Sequence, residues 1–378
     1  MRLLSIFFLL SISLTVSSQN QLTNNKIFTV EKDKSYPKIS LDDLEKETFY
    51  IPLETSKEVL LDVGAHVYYV SDKEILISNW KRGDVYIFDW NGKIVSRFNQ
   101  KGGMGYLFIN YLAYDEQKQE VFILDRAKKN ILVYSKVGVL KRTLKYPANL
   151  YLNNIYNFDD EALLVYHQHQ YEDLSQRQPY LFISKTDGQI ISKANYFIDK
   201  VNPTSVATDK ALFTTKTSIG NCKFGNEYFL ASICSDTISV LNHNQEVSKL
   251  FVQSPGIFAD SRLVTTVTLN TNDFIILSYY PYDAKRTYRD QLNGKKPPRY
   301  VEETNLLFDF KEQKFYECTD FKYAAYNVDI PSNMSVRLIK AYRLKKWLDD
   351  GDLEGELKEI AKKVDMNDNP VVQITRFK

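Results

Sequence analysis

Short apolar runs separated by polar turns recur along almost the whole chain, and their grouping is regular. DVGAHVYYV, KEILISNW, GDVYIFDW and KIVSRF form one set of four, and INYLAYDE, EVFILDRA, NILVYSK and VLKRTLKY form the next. Runs this short, rich in Val, Ile, Tyr and Phe and cut by Gly, Asn and Asp, predict β-strands rather than helices. The turn before each fourth strand falls at Gly92, Gly138 and Gly188, then near Asn244 and Gln313, at intervals of 46, 50, 56 and 69 residues. Four strands repeating at this kind of period predict a propeller, whose sheets pack on their neighbours because none can bury both faces alone.

The third set runs through LYLNNIYNF, ALLVYHQ, PYLFISK and QIISKANY. The fourth runs through EYFLASI, TISVLNH and EVSKLFVQ after a less regular inner strand near 216–222, and the fifth through LVTTVTLN, FIILSYY, TNLLFDF and KFYECTDF. The sixth is split: MSVRLIKAYR and PVVQITRFK flank a helical stretch, and TFYIPLE near the start is free to supply an outer strand. Such pairing ties the two ends of the chain together and removes an open sheet edge. Within the helical stretch, Leu344, Trp347, Leu348, Leu353, Leu357, Ile360 and Val364 recur at helical spacing, interrupted by Gly351 and Gly355, which predicts a stripe packed on the propeller. The expected fold is all-β, a six-bladed β-propeller over 45–378 with a short C-terminal helical insertion at about 344–364 in the last blade. A lead segment at 19–44 precedes it.

FYIPLET at 49–55, NGKIVSRFNQKGGMGY at 91–106 and the ending DNPVVQITRFK together resemble an exported six-bladed β-propeller family of Bacteroidetes with an NHL-like layout. The resemblance covers nearly the whole chain after its first residues and implies fold and export, but no particular activity. Such proteins often carry a Gly-Pro-Gly-Glu-Tyr-like sequence where this chain has Gly103-Met104-Gly105-Tyr106, so no role of that acid transfers here. The glycines of the stretch fit neither GxGxxG nor GxxxxGKS/T, and they precede a strand-like run instead of a helix. The phosphate-loop reading therefore fails, and a connector between the first two units is expected.

Composition and charge narrow the function classes. The 378 residues carry 49 Lys and Arg against 47 Asp and Glu, a formal charge of +2 that offers no general attraction to nucleic acid. The start, MRLLSIFFLLSISLTVSSQNQ, places an apolar run from Leu3 to Val16 behind Arg2, the layout of a signal peptide (1–18) cut near Ser18. No later run is long and apolar enough for a membrane helix. The expectation is an exported protein, periplasmic or secreted, without a transmembrane segment or a lipid-anchored cysteine. Cys222, Cys234 and Cys318 match no zinc spacing and stand in apolar strand-like settings, so buried free thiols are expected.

In a propeller, loops between second and third strands share a face with the loops between blades, and sites commonly lie there. The five recognisable second-to-third loops carry +3 in sum, and the helical insertion on that face carries −3. The longest, at 281–303, interleaves Lys285, Arg286, Arg289, Lys295, Lys296 and Arg299 with Tyr282, Tyr288 and Tyr300, a mixture able to stack on sugars and pair with carboxylate or sulfate. With Asn110 and Arg262 near the channel mouth, it predicts an acidic glycan or a cell-envelope protein as partner. His167 and His169 would point the same way on a strand, but no third zinc ligand is evident. Asp62, Asn110, Asn153, Asn327 and Asp329 stand near inner-strand starts, where calcium-dependent lactonases of six-bladed form hold their metal. The expectation is a binding or scaffold module without a cofactor; the alternative is a metal-dependent hydrolase or lactonase with calcium at the channel mouth.

Overall fold

The computed structural model describes residues 26–62, 64–167, 177–198, 205–207, 212–214, 222–232, 235–256, 259, 262–282, 304–320 and 328–378. β1 (Phe28–Glu31) and β2 (Lys38–Ile39) lead through a 3-10 turn at Asp42–Leu44 into β3 (Glu45–Pro52). An antiparallel set follows, β4 (Ala65–Val70), β5 (Glu74–Asn79), β6 (Asp84–Asp89) and β7 (Ile94–Asn99). The next is β8 (Tyr111–Asp115), β9 (Glu120–Asp125), β10 (Asn130–Ser135) and β11 (Leu140–Lys145), and then β12 (Leu152–Asn157), β13 (Ala162–His167), β14 (Tyr180–Ser184) and β15 (Ile190–Lys193). A hairpin of β16 (Ser205–Ala207) and β17 (Leu212–Thr214) precedes β18 (Cys222–Phe224), β19 (Glu227–Leu230), β20 (Thr237–Leu241) and β21 (Val247–Ser254). After them come β22 (Arg262–Asn270), β23 (Phe274–Tyr282), β24 (Thr304–Asp309) and β25 (Lys314–Cys318). The chain ends with β26 (Asp329–Ile330), β27 (Met334–Ile339), helices α1 (Ala341–Asp349) and α2 (Gly355–Lys363), and β28 (Val371–Phe377). The fold is an all-β propeller with two helices among the described residues.

The strand positions explain the run composition. β9 and β13 are buried along their full length, because each lies inside its sheet and both faces are covered by neighbouring sheets. They accordingly read as almost unbroken apolar runs. The outermost strands β11 and β15 are largely exposed and carry the Lys, Arg and Ser residues. At the turns into the fourth strands, Gly92, Gly138 and Gly188 all adopt positive φ. Where the sequence lacks glycine at the equivalent turns, Gln245 and Gln313 take that conformation instead, with φ of 63° and 54°. The periodic marker is therefore a backbone conformation, and glycine is only its commonest occupant.

The two ends of the chain meet in one sheet of order β27, β28, β3, all antiparallel, with Phe49 opposite Ile374 and Ile51 opposite Val372. The junction is locked by buried Asn369. Its Oδ1 accepts from Leu61 N at 2.7 Å, and its Nδ2 donates to Glu54 O at 2.6 Å and Val59 O at 2.8 Å. Gly92 abuts the same junction, since a Cβ there would fall 2.0 Å from Pro52 O. The lead segment is also part of the propeller: β1 adds parallel to the outer strand β21 and β2 parallel to the outer strand β25.

Between β27 and β28, the expected apolar stripe forms a small second core in which Leu344, Leu353 and Ala361 are buried and Trp347, Leu348, Leu357 and Ile360 pack beside them. Gly351, with φ of 80°, stops α1. Its N–H donates to Leu348 O and that of Asp352 to Trp347 O, the paired bonds that finish a helix through a left-handed glycine.

β26 breaks the radial pattern. It lies between β4 and β18, the first strands of two four-strand sets that it joins into one ten-stranded sheet, and runs parallel to both, with Asp329 opposite Tyr69 on one side and Lys223 on the other. Residues 329–330 thus bridge two inner strands across the space between them.

Candidate functional site

A pocket of about 810 Å³ opens where the inner strands end. Its wall is built by the turns that join first to second strands: Ser71 to Lys73, Asp115 to Gln117, Asn157 to Asp160, and Asn226, with Tyr69, Lys223 and His243 beside them. This is the face opposite the one on which a site was expected. Three of the wall turns follow tyrosine-bearing inner strands, β4, β8 and β12, and tyrosine rings interlock around the axis. Tyr68 meets Tyr111 at 5.5 Å between centroids, Tyr111 meets Tyr156 at 5.6 Å, and Tyr156 meets Tyr228 at 6.1 Å. Phe158 stacks on His243 at 5.5 Å and closes one side of the pocket.

The carboxylates of the pocket are held in place from behind. Tyr69 Oη donates to Glu116 Oε2 at 2.7 Å, and burial together with that carboxylate raises the phenol's pKa. Lys185 reaches Asp115 Oδ2 at 2.7 Å with both side chains about 95% covered, and its second bond goes to Asp159 O. Burial lowers the Lys185 pKa, and the hydrogen bond and charge of Asp115 oppose that shift. Lys223 Nζ lies 2.7 Å from Asp329 Oδ2, and burial of Asp329 raises its carboxyl pKa against the pull of the lysine. Asn157 Oδ1 is covered from solvent and meets no donor among the described residues. The wall presents Asp72, Asp115, Glu116, Asp159 and Asp160 with Lys73 and Lys223, and Asp115 is paired with Lys185 and Asp160 with Lys118.

The structure divides the residues singled out from sequence. Asp62, Asn110 and Asn153 lie at the opposite end of the inner strands, on the order of 20 Å from the Tyr69 end at about 3.3 Å per residue. Asn110 Oδ1 accepts from Arg126 N at 2.8 Å, and Asn153 Oδ1 accepts from Arg126 Nη1 at 2.9 Å. Asp62 Oδ1 accepts from Gly64 N at 2.6 Å. The Arg126 guanidinium, lying also over Tyr151, thus engages Asn153, while Asn110 takes the backbone N–H of the same residue. Asp329 is far from them, in the bridge beside Lys223. Among the described residues, no group of three or more His, Cys, Asp or Glu is placed to hold a metal. Arg262 and Tyr282 are backbone partners at the ends of β22 and β23. Arg286, Tyr288, Arg289, Arg299, Tyr300 and Asn327 lie outside the described residues, as do His169, Cys234 and the first 25 positions. His167 is buried and takes a hydrogen bond from Tyr151 N on Nδ1. Cys318 is a buried free thiol, its pKa pushed up to about 12 by burial.

The pocket residues escaped sequence reasoning because Asp and Glu at turns are ordinary. A signal was nonetheless there: YYVSDKE, AYDEQKQ and YNFDDEA each set a tyrosine-bearing inner strand before an acidic turn, in phase with the blade period.

Two solved structures share the fold. A Bacteroides fragilis protein named as exported superposes with a TM-score of 0.66 at 14% identity, over 93% of this chain and 100% of its own. A DUF4221 family member from Bacteroides vulgatus gives 0.52 at 11% identity, over 89% of this chain and 97% of its own. The exported Bacteroides propellers that the sequence resembles are thus also structural neighbours. No curated protein is significantly similar in sequence. The family described as a domain of unknown function, DUF4934, matches residues 25–376. Among the described residues, no helix is long and apolar enough to cross a membrane.

Proposed function

Since the chain belongs to the DUF4934 family, with Bacteroides propellers as its structural neighbours, we propose that it is an exported binding module of the cell envelope, placed in the periplasm by its leader. The strand sets β4 to β7, β8 to β11, β12 to β15, β18 to β21, β22 to β25 and the composite β27, β28, β3 are read as six blades. The ligand is held in the pocket at the acidic end of the inner strands.

The observation that carries this reading is the pre-set carboxylate wall. Glu116 and Asp115 are fixed by Tyr69 and Lys185, so they need not reorganise when a ligand arrives. The stacked Phe158 and His243 supply a flat apolar side. Carboxylate acceptors beside aromatic rings suit a hydroxylated ligand that also bears an amine, such as an amino-sugar oligomer. The acidic-glycan reading of the 281–303 loop is a separate proposal, tested by the salt dependence of binding in an Arg286→Ala, Arg289→Ala, Arg299→Ala variant.

Calorimetry with glucosamine, N-acetylglucosamine and galacturonate oligomers tests the pocket. The amine-bearing oligomer is expected to bind best, and Glu116→Gln and Asp160→Asn, made singly, are each expected to weaken it about tenfold, the loss of one charge-assisted contact. Preference for galacturonate, or affinity indifferent to both substitutions, refutes the assignment.

A further inference from the structure

The glycine-rich connector that the phosphate reading failed to explain displays apolar side chains to solvent. Met104 is 91% exposed, Phe108 53% and Leu107 40%, and beside them stand Trp80 at 48% and Leu60 at 38%. The group is contiguous. Lys101 Nζ donates to Lys81 O at 2.7 Å and lies over the Phe108 ring, Lys81 lies over the Trp80 ring, and Arg82 Nη1 donates to Leu60 O. It occupies the face opposite the pocket.

The display is rigid. Tyr106 is fully buried beneath it, its Oη donating to Gly83 O at 2.5 Å and accepting from Gln100 N at 3.0 Å. Gly102 N bonds to Tyr106 O, Leu107 N bonds to Asp125 Oδ2, and Lys128 Nζ bonds to the carbonyls of Gly103 and Gly105. Gly105 approaches so closely that a Cβ would fall 1.7 Å from Gln100 O. At Gly102 and Gly103, by contrast, nothing lies within 4 Å of a Cβ, so the tip stands clear of the body.

Cations stand beside the apolar tip: Lys81, Arg82, Lys101 and Lys128. The nearby Asp84 and Asp125 are buried and engaged, which leaves Asp62 as an exposed carboxylate at the margin. We propose that this face docks on an anionic lipid bilayer, with Met104, Leu107, Phe108 and Trp80 entering the interface and the basic rim resting on lipid phosphates. A convex tip with apolar side chains at its apex and cations on its shoulders matches a deformable apolar layer under a negative surface. A protein partner would instead need a groove shaped to the tip. Apolar insertion and a polybasic rim are the two signals that stable interfacial binding requires, and a loop already fixed loses little freedom on docking.

Flotation of the mature protein with vesicles tests the assignment, using phosphatidylcholine alone and phosphatidylcholine with about 30% phosphatidylglycerol. The protein is expected to float with the anionic vesicles and to be released at about 1 M salt, where the screening length is about 3 Å. Its Trp80 emission should shift to the blue on binding. Met104→Ser with Phe108→Ser is expected to lower partition at least about tenfold with an unchanged melting temperature, since both side chains are exposed. Lys81→Glu with Lys101→Glu should abolish the preference for anionic vesicles. Failure to float with either vesicle, or flotation equal in wild type and the serine variant, overturns the proposal. So does retention on immobilised polyglutamate without flotation, which would assign the face to an acidic protein.

Discussion

Replacing Asn369 with Ala removes the side chain that joins the C-terminal sheet to the segment leading out of β3. Three hydrogen bonds disappear, from Leu61 N and to Glu54 O and Val59 O, and Asn369 is only 1% exposed. Each bond contributes about 1 kcal/mol net, and a buried group left without a partner costs about 1 kcal/mol or more beyond that. Partial access of water to the cavity moderates the second effect, so the expected loss is about 3–5 kcal/mol. Equilibrium urea unfolding followed by tryptophan fluorescence and by far-ultraviolet circular dichroism measures it. Because the ends close the ring, both probes should move together to a lower midpoint. A loss under about 1 kcal/mol, or a separate early transition confined to the C-terminal strand, would refute the closure argument.

Glu120 is gripped by both Arg142 Nη atoms at 2.8 and 2.7 Å, with Lys141 beside it, and its pKa is lowered from 4.5 to about 2, first by the Arg142 hydrogen bonds. A carboxylate depressed on folding stabilises above its unfolded pKa, so this contribution is complete near neutrality and is lost as pH falls from about 4.5 toward 2. Partial exposure of both cations reduces it to about 2 kcal/mol, and Glu120→Gln should cost that much at pH 7 and about 40% of it at pH 3, read from urea midpoints; an equal cost at both would exclude the ion pair as cause. Gly105→Ala should lower the melting temperature more than Gly102→Ala, because the first meets Gln100 O and the second meets only the strain of its φ of 96°. The reverse order in a thermal scan would contradict the close approach.

The strands, their grouping and the partnership of TFYIPLE with the terminal PVVQITRFK were legible in the sequence, because each rests on a local pattern. A strand buried on both faces must be apolar throughout, an outer strand can be polar, and the turn before a fourth strand needs positive φ wherever it occurs. The helical stripe from Leu344 to Val364 was legible for the same reason, and Gly351 marked its break. The site was not. Lys185 meets Asp115 across 70 residues and Lys223 meets Asp329 across 106, separations at which no periodicity relates one residue to the other. Asn110 and Asn153 suggested a channel mouth from their positions alone, and only the arrival of Arg126 between them decided what they hold. The crossing of β26 between β4 and β18 likewise depends on which inner strands face each other after closure. Local pattern fixes which faces each strand buries; which charges those faces bring together is decided only when the sheets pack around a common axis.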